Sequence, residues 1–302
     1  MSRALQHYLL LAFFYVMLIL LLPANTITMR EYHLSGLEYR IVSFAIALPA
    51  LVVWLAAFIG YAKLKEYAYA IRKAPEGIHF DQLANGCAWL AWSLPVGILV
   101  PTILNAVANK NPGLHTSAII TSNYLSLVLP LIGFSVIANA SRGLVGNVKA
   151  KLSLANARLI LLAFLVLGVL YCFLTFSRFD LTSIGSADNP YFLPAWLMVI
   201  SVTIPYLYAW FMGILGVYEI TLFRKHVHGL LYRQALGYVV GGLSAVILAS
   251  VALQYINSVE PRVGHLVLSY KLVLVLLFRV VGGIGFILLA VGASRLRKIE
   301  EV

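Results

Sequence analysis

Eight stretches of nearly unbroken apolar sequence dominate this chain, and each is long enough to cross a lipid bilayer. They run near 6–24, 40–62, 86–108, 118–140, 158–176, 192–223, 236–256 and 266–293. About 20 apolar residues in a helix cover the roughly 30 Å of bilayer hydrocarbon. Barrel strands would alternate over about 10 residues instead, and these runs do not alternate. The expected fold is therefore an all-α membrane protein of eight transmembrane helices. The sixth and eighth runs exceed what a span needs, so those helices tilt or continue past the membrane surface. Only 11% of residues are charged, against about 25% in soluble domains.

The few charges set orientation. With the N terminus in the cytoplasm, the inner segments hold Arg3, Lys63, Lys65, Arg72, Lys73, Arg142, Lys149, Lys151, Arg158, Arg224, Lys225, Arg233, Arg295, Arg297 and Lys298, which is 15 of the 22 Lys and Arg. The outer segments hold Arg30, Arg40, Lys110, Arg178 and Arg262. Such a bias across short loops is the positive-inside pattern. It places both termini in the cytoplasm. Six acids lie on the inner side, so that face carries 15 − 6 = 9 positive charges out of a net +11. The basic character thus follows from topology and predicts attraction to anionic lipid, not to nucleic acid. The first run is retained as a span, because 22–26 offers no A-x-A cleavage pattern for a signal peptide. Cys87 and Cys172 fall at depths too different for a disulfide and are expected as free, buried thiols.

The chain also repeats itself. Pro49, Trp54 and Gly60 recur at the same spacing as Pro205, Trp210 and Gly216, and Ala57 matches Gly213. The segments 80–84 and 232–236 align with a slipped offset. Ile132-Gly133-Phe134 and Ala140-Ser141-Arg142 match Ile284-Gly285-Phe286 and Ala293-Ser294-Arg295. Residues 10–13 and 161–164 share Leu-Leu-Ala-Phe. The order is kept throughout, which predicts two parallel four-helix repeats, 1–150 and 151–302. Parallel repeats are one of the layouts that transporters use.

Arg279 stands in the run Leu274-Val275-Leu276-Leu277-Phe278-Arg279-Val280-Val281-Gly282. It lies 16 residues, or about 24 Å along a helix, from Arg295. It is too deep to snorkel inward, and an arginine at the midplane costs at least about 2.5 kcal/mol. No acid lies deep in a span. Glu219 is the nearest, and its depth excludes it as a partner. Three readings stay open: a buried arginine capping backbone carbonyls beside a helix break, a site for an anion or polar headgroup, and a lipid-facing arginine reaching outward. In the first repeat the matching position is Leu127 or a neighbour. Lys271, Tyr270, Asn105, Asn123 and Gln254 lie toward the same outer side and could line a polar vestibule with Arg279 at its floor. Pro49 and Pro205 each remove a helix hydrogen bond and can kink their helices alike. Trp54 and Trp210 read as packing residues beside them.

Much chemistry is missing. No histidine lies inside a span, which argues against buried haem. His226 and His228 lack the further ligands of a metal site. There is no H-E-x-x-H, G-x-S-x-G or P-loop, and no membrane-buried carboxylate for a proton relay. No catalytic residue, metal or cofactor is expected.

The runs Asp188-Asn189-Pro190-Tyr191-Phe192-Leu193-Pro194-Ala195-Trp196 and Pro205-Tyr206-Leu207-Tyr208-Ala209-Trp210-Phe211-Met212-Gly213 resemble uncharacterised polytopic membrane proteins of small-genome bacteria. That resemblance implies a bacterial cytoplasmic membrane and no activity. The leading expectation is a protein that binds or transports an anionic or zwitterionic solute or lipid headgroup. A non-catalytic structural subunit of a membrane complex is the alternative.

Overall fold

The computed structural model describes residues 12–13, 35–110, 115–148, 162, 166, 195–258 and 264–300. The described residues form six long helices: α1 (Gly36–Ala70), α2 (Pro75–Lys110), α3 (His115–Val148), α4 (Ala195–His226), α5 (Leu230–Ser258) and α6 (Gly264–Glu300). No strand occurs among them. Five of the six are long and apolar enough to cross a membrane: α1, α3 over Leu127–Gly146, α4 over Ile204–His226, α5 over Leu230–Ile256 and α6 over Tyr270–Glu300. The protein is a multi-pass membrane protein by these helices. They coincide with the expected second, fourth, sixth, seventh and eighth spans. The expected third span falls in α2. The expected first and fifth spans lie outside the described residues, apart from helical Ala12, Phe13, Leu162 and Val166.

Overlength is general, not confined to the sixth and eighth runs. The helices contain 29 to 37 residues, about 44–56 Å at 1.5 Å per residue. Stretches that hydropathy assigns to loops are helical. Between α1 and α2 only 71–74 interrupt the helix, and between α4 and α5 only 227–229. The charged residues there are good helix formers, and a Lys63–Glu66 ion pair of 2.8 Å adds support one turn apart. The ends are locally specified. Ser35 and Glu38 form a capping box at α1, satisfying two otherwise orphaned N–H groups. Pro75 opens α2, where its missing N–H costs nothing. Gly229, at φ +99°, permits the turn into α5 that a side chain would strain.

Each helix packs against its neighbours in sequence, and α6 packs back onto α1, closing a ring. Of these contacts, α4 with α5 is the slightest. One continuous buried cluster joins all six helices, with Trp210, Tyr67, Phe80, Phe134 and Ile137 among its most enclosed members.

Glycines set the closest approaches. A Cβ built on Gly242 would lie 2.6 Å from the Gly285 carbonyl, and one on Gly285 2.7 Å from that of Gly242. Between α2 and α3, Gly86 faces the Gly133 carbonyl at 2.9 Å and Gly133 faces that of Gly86 at 3.1 Å. On the seam of α6 with α1, Gly60 meets the Phe286 carbonyl at 3.0 Å and Leu289 at 3.8 Å. On that of α3 with α4, Gly216 meets Ile137 at 3.1 Å.

Phe80 and Leu83 of α2 are fully buried, as are Leu236 and Val239 of α5. Ser141 and Leu144 of α3 are likewise fully buried, as are Ala293 and Leu296 of α6.

Candidate functional site

Arg279 lies in the middle of α6, on the side that packs. Val275, one turn outward, is buried at 7% exposure. The glycines that follow it touch both neighbours: Gly282 faces Ala249 of α5 and Gly283 faces Val53 of α1. Arg279 is itself partly buried and its Nε is shielded from solvent. The lipid-facing row of α6 runs elsewhere, through Val273, Leu277, Val280, Ile284 and Ile287. The side chain therefore starts from the interior face of its helix.

Its neighbour in α1 is Pro49, which the helix carries without interruption. The contacts of Gly283 with Val53 and of Gly60 with Phe286 and Leu289 run in the same direction along both chains, so α1 and α6 are parallel. Four residues back from the Val53–Gly283 contact, Pro49 and Arg279 share a level. Pro49 sits inside α1 and cannot donate to the carbonyl of Ala45, which points along the helix toward that level. On the other seam, Gly213 faces Phe134 and Gly216 faces Ile137, again in parallel. By the same construction Pro205, inside α4, stands within a residue of the level of Leu127. Leu127 is buried at 2% exposure. One seam thus puts a guanidinium where the other puts a leucine.

The remaining expected residues divide. Gln254 of α5 and Lys271 of α6 are partly buried, and both take part in interactions. Tyr270 is 71% exposed and faces away from the core. Asn105 and Asn123 lie in α2 and α3, but their side chains are outside the described residues, as are Cys172 and residues 188–194. Cys87 is a free, buried thiol. Trp54 and Trp210 pack as expected: Trp54 contacts Trp92 at 5.5 Å between ring centroids, and Trp210 stacks on Tyr255 at 5.7 Å and 19°.

The opposite feature of the molecule, its basic end, is tied together by contacts that sequence reading did not find. Tyr67 of α1 and Tyr232 of α5 share a hydroxyl hydrogen bond of 2.6 Å. Arg142 of α3 donates Nε to Glu219 of α4 at 3.3 Å, which gives Glu219 a partner other than Arg279. Arg297 of α6 reaches Glu66 of α1 at 3.1 Å. Each contact joins residues far apart in the chain, and no short motif marks them. His226 and His228 belong to a turn held by backbone contacts: the ring Nδ1 of His226 lies 2.8 Å from the Leu222 carbonyl, and Arg233 donates to the Val227 carbonyl at 2.8 Å.

No protein-family model, curated protein or solved structure matches this chain.

Proposed function

We propose that the chain is a duplicated membrane protein of two parallel halves, 1–150 and 151–302, that binds or transports an anionic or zwitterionic solute or lipid headgroup at Arg279. The observation that carries this reading is the asymmetry of the two seams. A buried cation costs at least about 2.5 kcal/mol where leucine costs nothing. The scaffold packs leucine at the matching place, Leu127, so packing does not require the charge. Recognition of a negative group does. Lys271, with the same charge two turns outward, would draw anions toward the site, and Gln254 would serve as a neutral ligand, with Tyr270, Asn105 and Asn123 as further members. The duplication is supported by matched pairings: Gly86 with Gly133 recurs as Gly242 with Gly285, and Gly60 with Leu289 recurs as Gly216 with Ile137. The concentration of Lys and Arg at the loop end of α1 and α2 supports a cytoplasmic location for that end, in a bacterial cytoplasmic membrane.

The test is thermal unfolding of the purified protein and of Arg279→Leu, with inorganic phosphate, succinate and glycerophosphocholine as separate probes. We expect at least one probe to raise the Tm of the parent and to leave Arg279→Leu unmoved, as linkage to a bound ligand demands. Equal responses of both proteins to every probe, or none in either, would assign Arg279 to capping the α1 carbonyls beside Pro49 and favour a structural subunit.

A further inference from the structure

A second site lies at the basic end, on the outward face of the α1–α2 hairpin. There a crevice of about 820 Å³ opens between Tyr61, Lys65, Glu66, Tyr69, Arg72 and Asp81, with Gly77 and Ile78 of α2 along its other wall. We propose that this crevice binds a phospholipid headgroup carrying a primary ammonium, of the phosphatidylethanolamine type. The proposal is independent of Arg279.

Depth points to a lipid. The apolar run of α1 ends at Ala62 and the next residue is Lys63. Lys65 and Tyr69 then stand about 5 and 10 Å further along the helix axis, with Arg72 in the turn just beyond, where headgroups begin and extend. The crevice faces outward at that depth: Tyr69 is 67% and Ile78 62% exposed. Both offer apolar surface to the glycerol and the start of the acyl chains.

Charge selects the headgroup. The lining holds two cations and two carboxylates, so it carries no net attraction for anionic lipid although the surrounding face is basic. Arg72 is held in place from below. Its guanidinium lies 4.6 Å from the centre of the Tyr69 ring and one Nη donates to the Tyr69 hydroxyl at 3.0 Å. Its remaining donors form the planar fork that suits a phosphate. Asp81 supplies the opposite pole. Its side chain is 47% exposed, Oδ1 accepts from Lys65 at 2.6 Å, and Oδ2 has only a long 3.4 Å contact from Asn85. Both contacts of Glu66, from Lys63 and Arg297, fall on Oε2, so Asp81 Oδ2 and Glu66 Oε1 are the carboxylate oxygens with capacity for an ammonium. A primary ammonium donates three hydrogen bonds. A choline donates none, and a glycerol headgroup brings no cation.

The experiment is native mass spectrometry of the full chain, released from detergent containing equal amounts of phosphatidylethanolamine, phosphatidylglycerol and phosphatidylcholine. We expect phosphatidylethanolamine to be retained about tenfold over the other two, the value of one charge-assisted hydrogen bond. Asp81→Asn combined with Glu66→Gln should erase the preference, and Arg72→Gln should lower retention of all three. Lys225→Gln, exposed at the same end on α4, should change nothing. Preferred retention of phosphatidylglycerol, or an equal loss in Lys225→Gln and Arg72→Gln, would overturn the site in favour of diffuse attraction to the basic face. Displacement by free glycerophosphoethanolamine at the same concentration as the lipid would overturn the assignment to a membrane lipid.

Discussion

The seam between α6 and α1 and the seam between α3 and α4 are built from the same parts and finished differently. Both set a glycine, Gly60 of α1 or Gly216 of α4, against the neighbouring helix, and both place a proline further out. At the level of one proline stands Arg279 and near that of the other Leu127. At the basic end each seam carries an Arg–Glu pair, with the arginine on α6 or α3. Measured by the glycine contacts, the Arg297–Glu66 pair lies about one turn nearer the helix ends than Arg142–Glu219. The first is open to water, at 44% and 41% side-chain exposure, whereas Glu219 is only 11% exposed. The comparison teaches that packing sets the shared frame, and that charge is where two similar frames diverge.

Exchanging the divergent residues is the strongest way to break the comparison. Leu127→Arg should cost about 2.5 kcal/mol or more, because that position has no role for a cation. Arg279→Leu should be neutral or stabilising. Thermal unfolding of both in the same lipid settles the ranking, and equal losses would mean that both positions are structural. The next effect separates the glycine contacts. Gly242→Ala forces a methyl against a backbone carbonyl at 2.6 Å and should cost about 1–3 kcal/mol. Gly133→Ala first meets Leu90 side-chain atoms at 2.8 and 2.9 Å, which can rotate away. It should cost less, offset further by the helix propensity of alanine. Unfolding midpoints that rank these two in reverse would show that the α5–α6 contact is the looser one.

The smallest effects concern the ion pairs. Arg142→Ala leaves a buried carboxylate without its cation and should cost about 1–3 kcal/mol. Arg297→Ala removes an exposed contact and should cost about 0–1 kcal/mol, vanishing as salt rises. A salt titration of the Tm for both variants sharpens the contrast. Equal, salt-insensitive losses would contradict the difference in burial.

The sequence made the helices legible because hydrophobic length is a local property, and it singled out Arg279 because a lone charge between Lys271 and Arg295 needs no structure to notice. Helix ends were harder. Lys63 to Arg72 reads as a loop to a hydropathy window, yet those residues form helices well and pair one turn apart. The basic-end ties were invisible for a different reason. Tyr67 and Tyr232 are 165 residues apart, and Arg142 and Glu219 are 77. Their meeting depends on the order of helices around the ring, which no local pattern encodes.

The closed ring also dictates an order of assembly. Among the described helices, α2 to α5 can each dock on the helix made just before, while the flank of α1 that α6 covers must wait. Gly60 has no Phe286 and Glu66 no Arg297, 231 positions away, until the last helix has been made. Until then the α1 side of that seam lacks both of these contacts, and any factor that guards synthesis has that flank of α1 to hold.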